Sequence, residues 1–185
     1  ELAARNPVGI IFTGGPNSVY DPKSPHVDPA IFELGIPILG ICYGCQLMAY
    51  TLGGTVASSE ETREYGKTLT EYQTESLLFT GLPEEAISWM SHTDYIQKLP
   101  EGFSITAHSA GCPVAAMEYP EKKFYGVQFH PEVNHTVNGQ QMLHNFLYQV
   151  CGCTGDWTME DYAKTAIEQI REKVGDGKVL LALSG

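Results

Sequence analysis

The chain has 185 residues, of which 43% are hydrophobic and 18% charged. This balance suits a packed globular core and excludes intrinsic disorder. The formal net charge of -11 argues against nucleic acid as a partner, because phosphate binding needs a basic surface. Neither a signal-peptide pattern nor an apolar run of about 18 residues is visible, so nothing points to secretion or a membrane. Five cysteines at irregular spacing do not make a disulfide framework, and a reducing cytoplasm is the simpler expectation.

In chain order, "ELAARNPVGIIF" reads as the tail of a helix leading into a strand, Val8 to Gly15, which a glycine pair stops. Residues 16–25 are rich in Pro, Asn, Ser and Asp and read as a loop. "DPAIFELG" from Asp28 predicts a short helix with Pro29 near its start. "IPILGIC" is an apolar strand, and "QLMAYTLGG" a helix stopped by Gly53. Unbroken apolar strands alternating with helices predict a parallel sheet covered on both faces.

The middle of the chain changes character. "EYGKTLTEYQ", "AISWMSH", "FSITAHS", "PVAAMEY" and "FYGVQFH" predict short strands, several of them antiparallel additions to the sheet. "NGQQMLHNFLYQV" from Asn138 predicts a helix, with Met142, Leu143, Phe146, Leu147 and Val150 on its apolar face. A new unit is expected from about Cys151: Thr158 and Asp161 form a capping-box pattern, a helical stripe runs to Val174, and "KVLLAL" follows as a strand.

The chemistry gathers at "GICYG". Cys42 stands between Gly40 and Gly44 where a strand meets a helix, the arrangement of a nucleophile elbow. The glycines permit a tight turn, and the helix points free N–H groups and its positive dipole end at the sulfur, which favours thiolate. A buried core cysteine explains the same residues. So does a redox pair, since Cys42 and Cys45 make a CxxC. The nucleophile reading needs a base, and "FHPE" offers one. Pro131 biases His130 towards extended backbone, and residues two apart on an extended chain point the same way. His130 and Glu132 could then be a base and the carboxylate that orients it. The N–H groups of the Gly14-Gly15 turn could meet a developing oxyanion, although a plain turn explains them too.

Together "GICYGCQ", "FHPE" and "TGGP" resemble the class I glutamine amidotransferases. Tyr43, "REYGKT" (Arg63 to Thr68), "WMSHTDY" (Trp89 to Tyr95) and the ending "CGCTGDWTMEDY…VGDGKVLLALSG" look like the GMP synthase branch of that class. The resemblance implies an α/β fold of flavodoxin-like type. Its central sheet would be mostly parallel, with helices on both faces and antiparallel additions. Residues 1–152 would be the amidotransferase domain, without the family's first strand and helix, and the chain so written would be unstable unless those residues exist and are merely absent from this sequence. Residues 153–185 would be the linker helix and first strand of an ATP-pyrophosphatase domain.

The implied roles follow the matching motifs. Cys42 attacks the glutamine side-chain amide, His130 moves the protons and Glu132 orients it. The N–H groups of Gly15 and Tyr43 hold the oxyanion, while Gly14, Gln46, Ser91 and His92 help hold the glutamine. Ser184 and Gly185 begin an ATP-binding loop. The freed ammonia would aminate adenylated XMP to GMP at a second site that uses ATP and Mg2+, in a full-length homodimer. No cofactor or metal is expected in the glutaminase part. The pair Cys151 and Cys153 lacks a matching second ligand pair, and Asp94 is either a relay or a turn residue. The competing readings are another class I triad glutaminase or a gamma-glutamyl hydrolase on the same fold, a non-catalytic binding or redox module using Cys42 and Cys45, and a scaffold with an inert Cys42; oxidation could also join Cys42 to Cys45 and silence the enzyme.

Overall fold

The computed structural model describes residues 2–58, 63–156 and 158–182, with the backbone alone at positions 2, 3, 160 and 161. The chain divides into two units, Glu1–Cys153 and Thr154–Gly185. The first is built on a sheet of seven strands. In spatial order they are β1 (Ile10–Phe12), β2 (Ile38–Ile41), β9 (Phe124–Val127), β8 (Ala116–Tyr119), β7 (Ser104–Ser109), β4 (Glu64–Tyr72) and β5 (Glu85–His92). The pairs β1–β2 and β2–β9 are parallel, and the remaining four pairings are antiparallel. The α/β class expected from the sequence is present. The antiparallel additions, however, form the larger share of the sheet, so it is mixed rather than mostly parallel.

Alternation along the central strands feeds two cores. Ile38 and Phe124 face one side of the sheet, while Leu39, Ile41, Tyr125 and Val127 face the other. A strand buried on both faces has no polar side, which is why "PILGIC" reads as a continuous apolar run. After a short helix α1 (Leu2–Arg5), helix α2 (Tyr43–Thr51) covers the first face with Leu47 and Met48, and Gly53 ends it with φ 91°. The predicted helix after Asp28 is a short 3-10 helix, Pro29–Glu33, in which the Asp28 carboxylate accepts from the Ala30 N–H at 3.0 Å.

The second face is covered by α3 (Gly139–His144), which continues into a π turn at Asn145–Val150. Met142, Phe146 and Val150 point into this core beside Leu78 and Phe79. Asn145 pins the π turn. Its Nδ2 donates to Leu78 O at 3.0 Å and Thr80 O at 2.9 Å, and its Oδ1 accepts from Gln141 and Gln149. A separate antiparallel pair, β3 (Thr55–Ser58) with β6 (Asp94–Lys98), was not foreseen. It adds Val56 and Ile96 to the core around α2.

In the second unit α4 runs Met159–Val174 and ends at Gly175, whose φ is 51°. The Thr158 carbonyl accepts from the Tyr162 N–H at 2.9 Å. The Asp161 side chain of the expected capping box lies outside the described residues. The expected strand "KVLLAL" does not form over residues 178–182, which have no pairing partner among the described residues; Leu180 is 95% exposed. A strand with no neighbour has no ladder to stabilise it. Ser184 and Gly185 lie outside the described residues. No described helix is long and apolar enough to cross a membrane.

Candidate active site

Cys42 occupies the corner between β2 and α2 with φ 52° and ψ -110°, a left-handed conformation that side chains rarely adopt. The strain is held from both sides. The Cys42 N–H donates to Val127 O at 2.8 Å on β9, and its carbonyl accepts from the N–H groups of Cys45 and Gln46. The flanking glycines are needed for packing rather than for positive φ. A Cβ on Gly40 would stand 2.7 Å from the Cys45 backbone nitrogen, and one on Gly44 would collide with the carbonyl of Phe12 in β1. G-x-C-x-G is therefore what lets α2 spring from β2 while pressed against β1. The N–H groups of Tyr43 and Gly44 open the helix and have no acceptor within it.

The imidazole lies beside this sulfur. His130 is held by its N–H to Trp89 O at 3.0 Å and by the Thr136 hydroxyl, which donates to the His130 carbonyl at 2.5 Å. Its Nδ1 is 2.7 Å from Glu132 Oε1, the same-side placement expected from the His-Pro-Glu spacing. His130 is pushed up to about 9, first by its hydrogen bond with Cys42 and then by Glu132, against an opposing push from burial. A proton is thus stable on His130 at neutral pH. With Nδ1 engaged by the carboxylate, Nε2 is the nitrogen left for Cys42.

Cys42 opens on a cleft of ≈ 380 Å³ whose lining includes Gly15, Gln46, Ser91, His92 and Asp94. Gly14 lies against both side chains: a Cβ there would stand 3.0 Å from His130 Cε1 and 3.5 Å from Cys42 Cβ. Gly15 lies against the Tyr43 ring, so the two residues expected to form the oxyanion hole are neighbours. Gln46 uses its amide N–H groups on Asp94 O at 2.8 Å and Gln128 Oε1 at 3.0 Å, which leaves its own oxygen as an acceptor. Asp94 thus enters the site through its carbonyl.

Gln128 was missed by sequence reasoning. It is fully buried, and its Nε2 lies 3.7 Å from Cys42 Sγ. Its signal was the period of two in "QFHPE", where Gln128 precedes His130 by the same step as His130 precedes Glu132. Tyr65, Asn17, Ser18 and Thr93 also line the cleft and were not foreseen.

Cys45 is fully buried, and its thiol is pushed well up by burial. It joins the core on the α2 face, whereas Cys42 joins the core on the opposite face. Its sulfur packs against Gly126 on β9. This geometry works against a reversible Cys42–Cys45 pair. All five cysteines are free thiols, and Cys151, pushed up to about 11 by burial, packs against Gly9. One group of metal-compatible side chains, Glu64, His92 and Cys112, lies together among the described residues.

Residues 1–150 match the family model "Glutamine amidotransferase class-I". The whole chain is 60% identical to a GMP synthase [glutamine-hydrolyzing] of Acetivibrio thermocellus and 59% identical to one of Clostridium botulinum. In both cases it spans 36% of the relative's length. A solved structure from Thermoplasma acidophilum, described as a candidate GMP synthase component, superposes with a TM-score of 0.66 at 30% identity, covering 88% of this chain and 76% of that one. The chain belongs to the class-I glutamine amidotransferase family.

Proposed function

We propose that this chain is the glutamine-hydrolysing part of a GMP synthase, and that Cys42, His130 and Glu132 carry its chemistry. The observation that carries the reading is the meeting of Cys42, on a strained corner, with a His130 that Glu132 holds at 2.7 Å. The likeness to GMP synthases over the whole chain supports the substrate.

Glutamine enters the cleft with its side-chain amide over Cys42. The Gln46 oxygen accepts from its α-amino group. Sulfur attacks the amide carbon, the carbonyl becomes an oxyanion, and the N–H groups of Gly15 and Tyr43 receive it. One such donor contributes about 3–4 kcal/mol in comparable sites. His130, carrying the thiol proton, gives it to the departing nitrogen, so ammonia leaves and a glutamyl thioester remains. His130 then takes a proton from water as the water attacks the thioester. Glutamate departs and the proton returns to sulfur. Glu132 fixes the ring and stabilises the imidazolium throughout.

In the whole protein the ammonia aminates adenylated XMP to GMP, at a site that uses ATP and Mg2+ and begins near Ser184 and Gly185. The full-length enzyme acts as a cytoplasmic homodimer. The test is glutamate release from glutamine by this chain. A low rate is expected without ATP and XMP, because such glutaminases are stimulated when the second site is loaded. That rate falls at least a thousandfold in Cys42→Ala. A rate unchanged by Cys42→Ala would overturn the proposal.

A further inference from the structure

Behind the wall of the cleft, three side chains from different segments meet. Glu64 opens β4, His92 closes β5 as its cross-strand neighbour, and Cys112 lies between β7 and β8. Each offers one ligand atom, and these atoms all lie within 4.8 Å of one another. His92 and Cys112 are buried, and the Glu64 side chain is only 12% exposed.

The arrangement leaves one polar atom unexplained. His92 Nδ1 lies 3.1 Å from the Asp94 carbonyl, which can only accept, so Nδ1 carries the hydrogen. Nε2 of the neutral ring then presents a lone pair. That nitrogen is buried without a hydrogen-bond partner, and it stands 3.6 Å from Glu64 Oε2, beyond hydrogen-bond reach. A lone pair facing a carboxylate in the interior is repulsive unless a positive group lies between them.

We propose that this gap is a binding site for one divalent transition-metal ion of the zinc type, held by a Glu64 carboxylate oxygen, His92 Nε2 and Cys112 Sγ. The donor set selects the ion. Carboxylate, imidazole and thiolate together suit zinc, with a fourth position open to water, and they disfavour Mg2+ and Ca2+, which take oxygen ligands. A carboxylate and a thiolate also neutralise a doubly charged ion. The supporting hydrogen bonds are already in place: the Ser109 hydroxyl lies 3.0 and 2.9 Å from the two Glu64 oxygens, and Asp94 O holds the far side of His92. Cys112 now directs its thiol to Val114 O at 3.3 Å. On binding, the S–H bond breaks, its proton passes to solvent, and sulfur bonds the ion. His92 belongs to the cleft wall with Ser91, Thr93 and Asp94, so occupancy would brace that wall. The site stands apart from the glutaminase reading, because its test reads metal and not turnover.

The experiment titrates the whole metal-free chain with Zn2+ and with Co2+, whose bonds to thiolate absorb in the near ultraviolet. The wild type and Cys151→Ser should each bind one equivalent and show the thiolate band. Cys112→Ser, with its fold checked by circular dichroism, should lose the band and bind at least tenfold more weakly. Glu64→Gln should weaken binding and keep the band, which retains a test if Cys112→Ser does not fold. Three results would overturn the proposal. One is no binding by the folded wild type at micromolar metal. Another is a band that survives Cys112→Ser and disappears in Cys151→Ser. The last is nitrogen NMR showing a proton on His92 Nε2 in the metal-free and the metal-treated protein alike.

Discussion

A left-handed cysteine costs of order 1–3 kcal/mol, and at Cys42 the hydrogen bonds from both flanks hold that strain in place. His130 makes the arrangement pH-dependent. Its folded value is about 9, against about 6.5 for an unperturbed imidazole. A value raised by folding contributes stability that is fully present below about pH 6.5 and is lost as pH rises through about 9. Glu132→Gln removes part of the cause. In urea unfolding, the wild type should therefore exceed Glu132→Gln by more at pH 6 than at pH 10. A difference that grows towards pH 10 would contradict the assignment. Gly14 gives a second residue-scale prediction. A methyl group there stands 3.0 Å from His130 Cε1, so Gly14→Ala should slow alkylation of Cys42 about 10- to 100-fold with the melting temperature nearly unchanged. Full reactivity would show that the glycine is only a turn residue. Cys42 and His130 were legible as candidates because each sits in a short motif with local geometry. The Glu64–His92–Cys112 group was not, because its contacts join residues far apart in the sequence, and Gln128 left only the period of two before His130 as a trace.

At the scale of elements, α2 depends on close approach and the π turn on one amide. A Cβ on Gly40 would meet the first turn of α2 at 2.7 Å, so Gly40→Ala should destabilise the first unit by about 1–3 kcal/mol in urea. Asn145→Ala leaves the buried carbonyl of Leu78 and that of Thr80 without their donor. A loss of about 2–4 kcal/mol is expected, since each orphaned buried group costs about 1–3. A loss under 0.5 kcal/mol would mean that water replaces the amide. The central strands β2 and β9 were readable as apolar runs. The sheet's balance of parallel and antiparallel pairs was not, because pairing direction is set by which strands meet, and that lies beyond any local pattern. The pair β3–β6 escaped for a related reason: "TVAS" is four residues long and signals a strand only when β6 lies beside it.

At the scale of the molecule, the two units differ in what they bury. The first holds both hydrophobic cores, whereas along α4 Met159 is 67% exposed and Ile170 59%, with Ala166 and Val174 half-buried. The amides of α4 should exchange with deuterium well before those of β2 and β9. The helix of this unit was legible from its stripe. The strand expected after it was not found, because apolar residues specify a strand only when a neighbouring strand pairs with them.

The central claim is that Cys42 is a nucleophile primed by His130 for a glutamine amide. The most direct measurement treats the wild type and His130→Ala with a glutamine-like electrophile and reads intact mass, followed by peptide mapping. The account predicts one adduct on Cys42 in the wild type, formed much more slowly in His130→Ala and blocked by excess glutamine. A folded wild-type chain that takes no adduct, or one modified equally fast without His130, would contradict it.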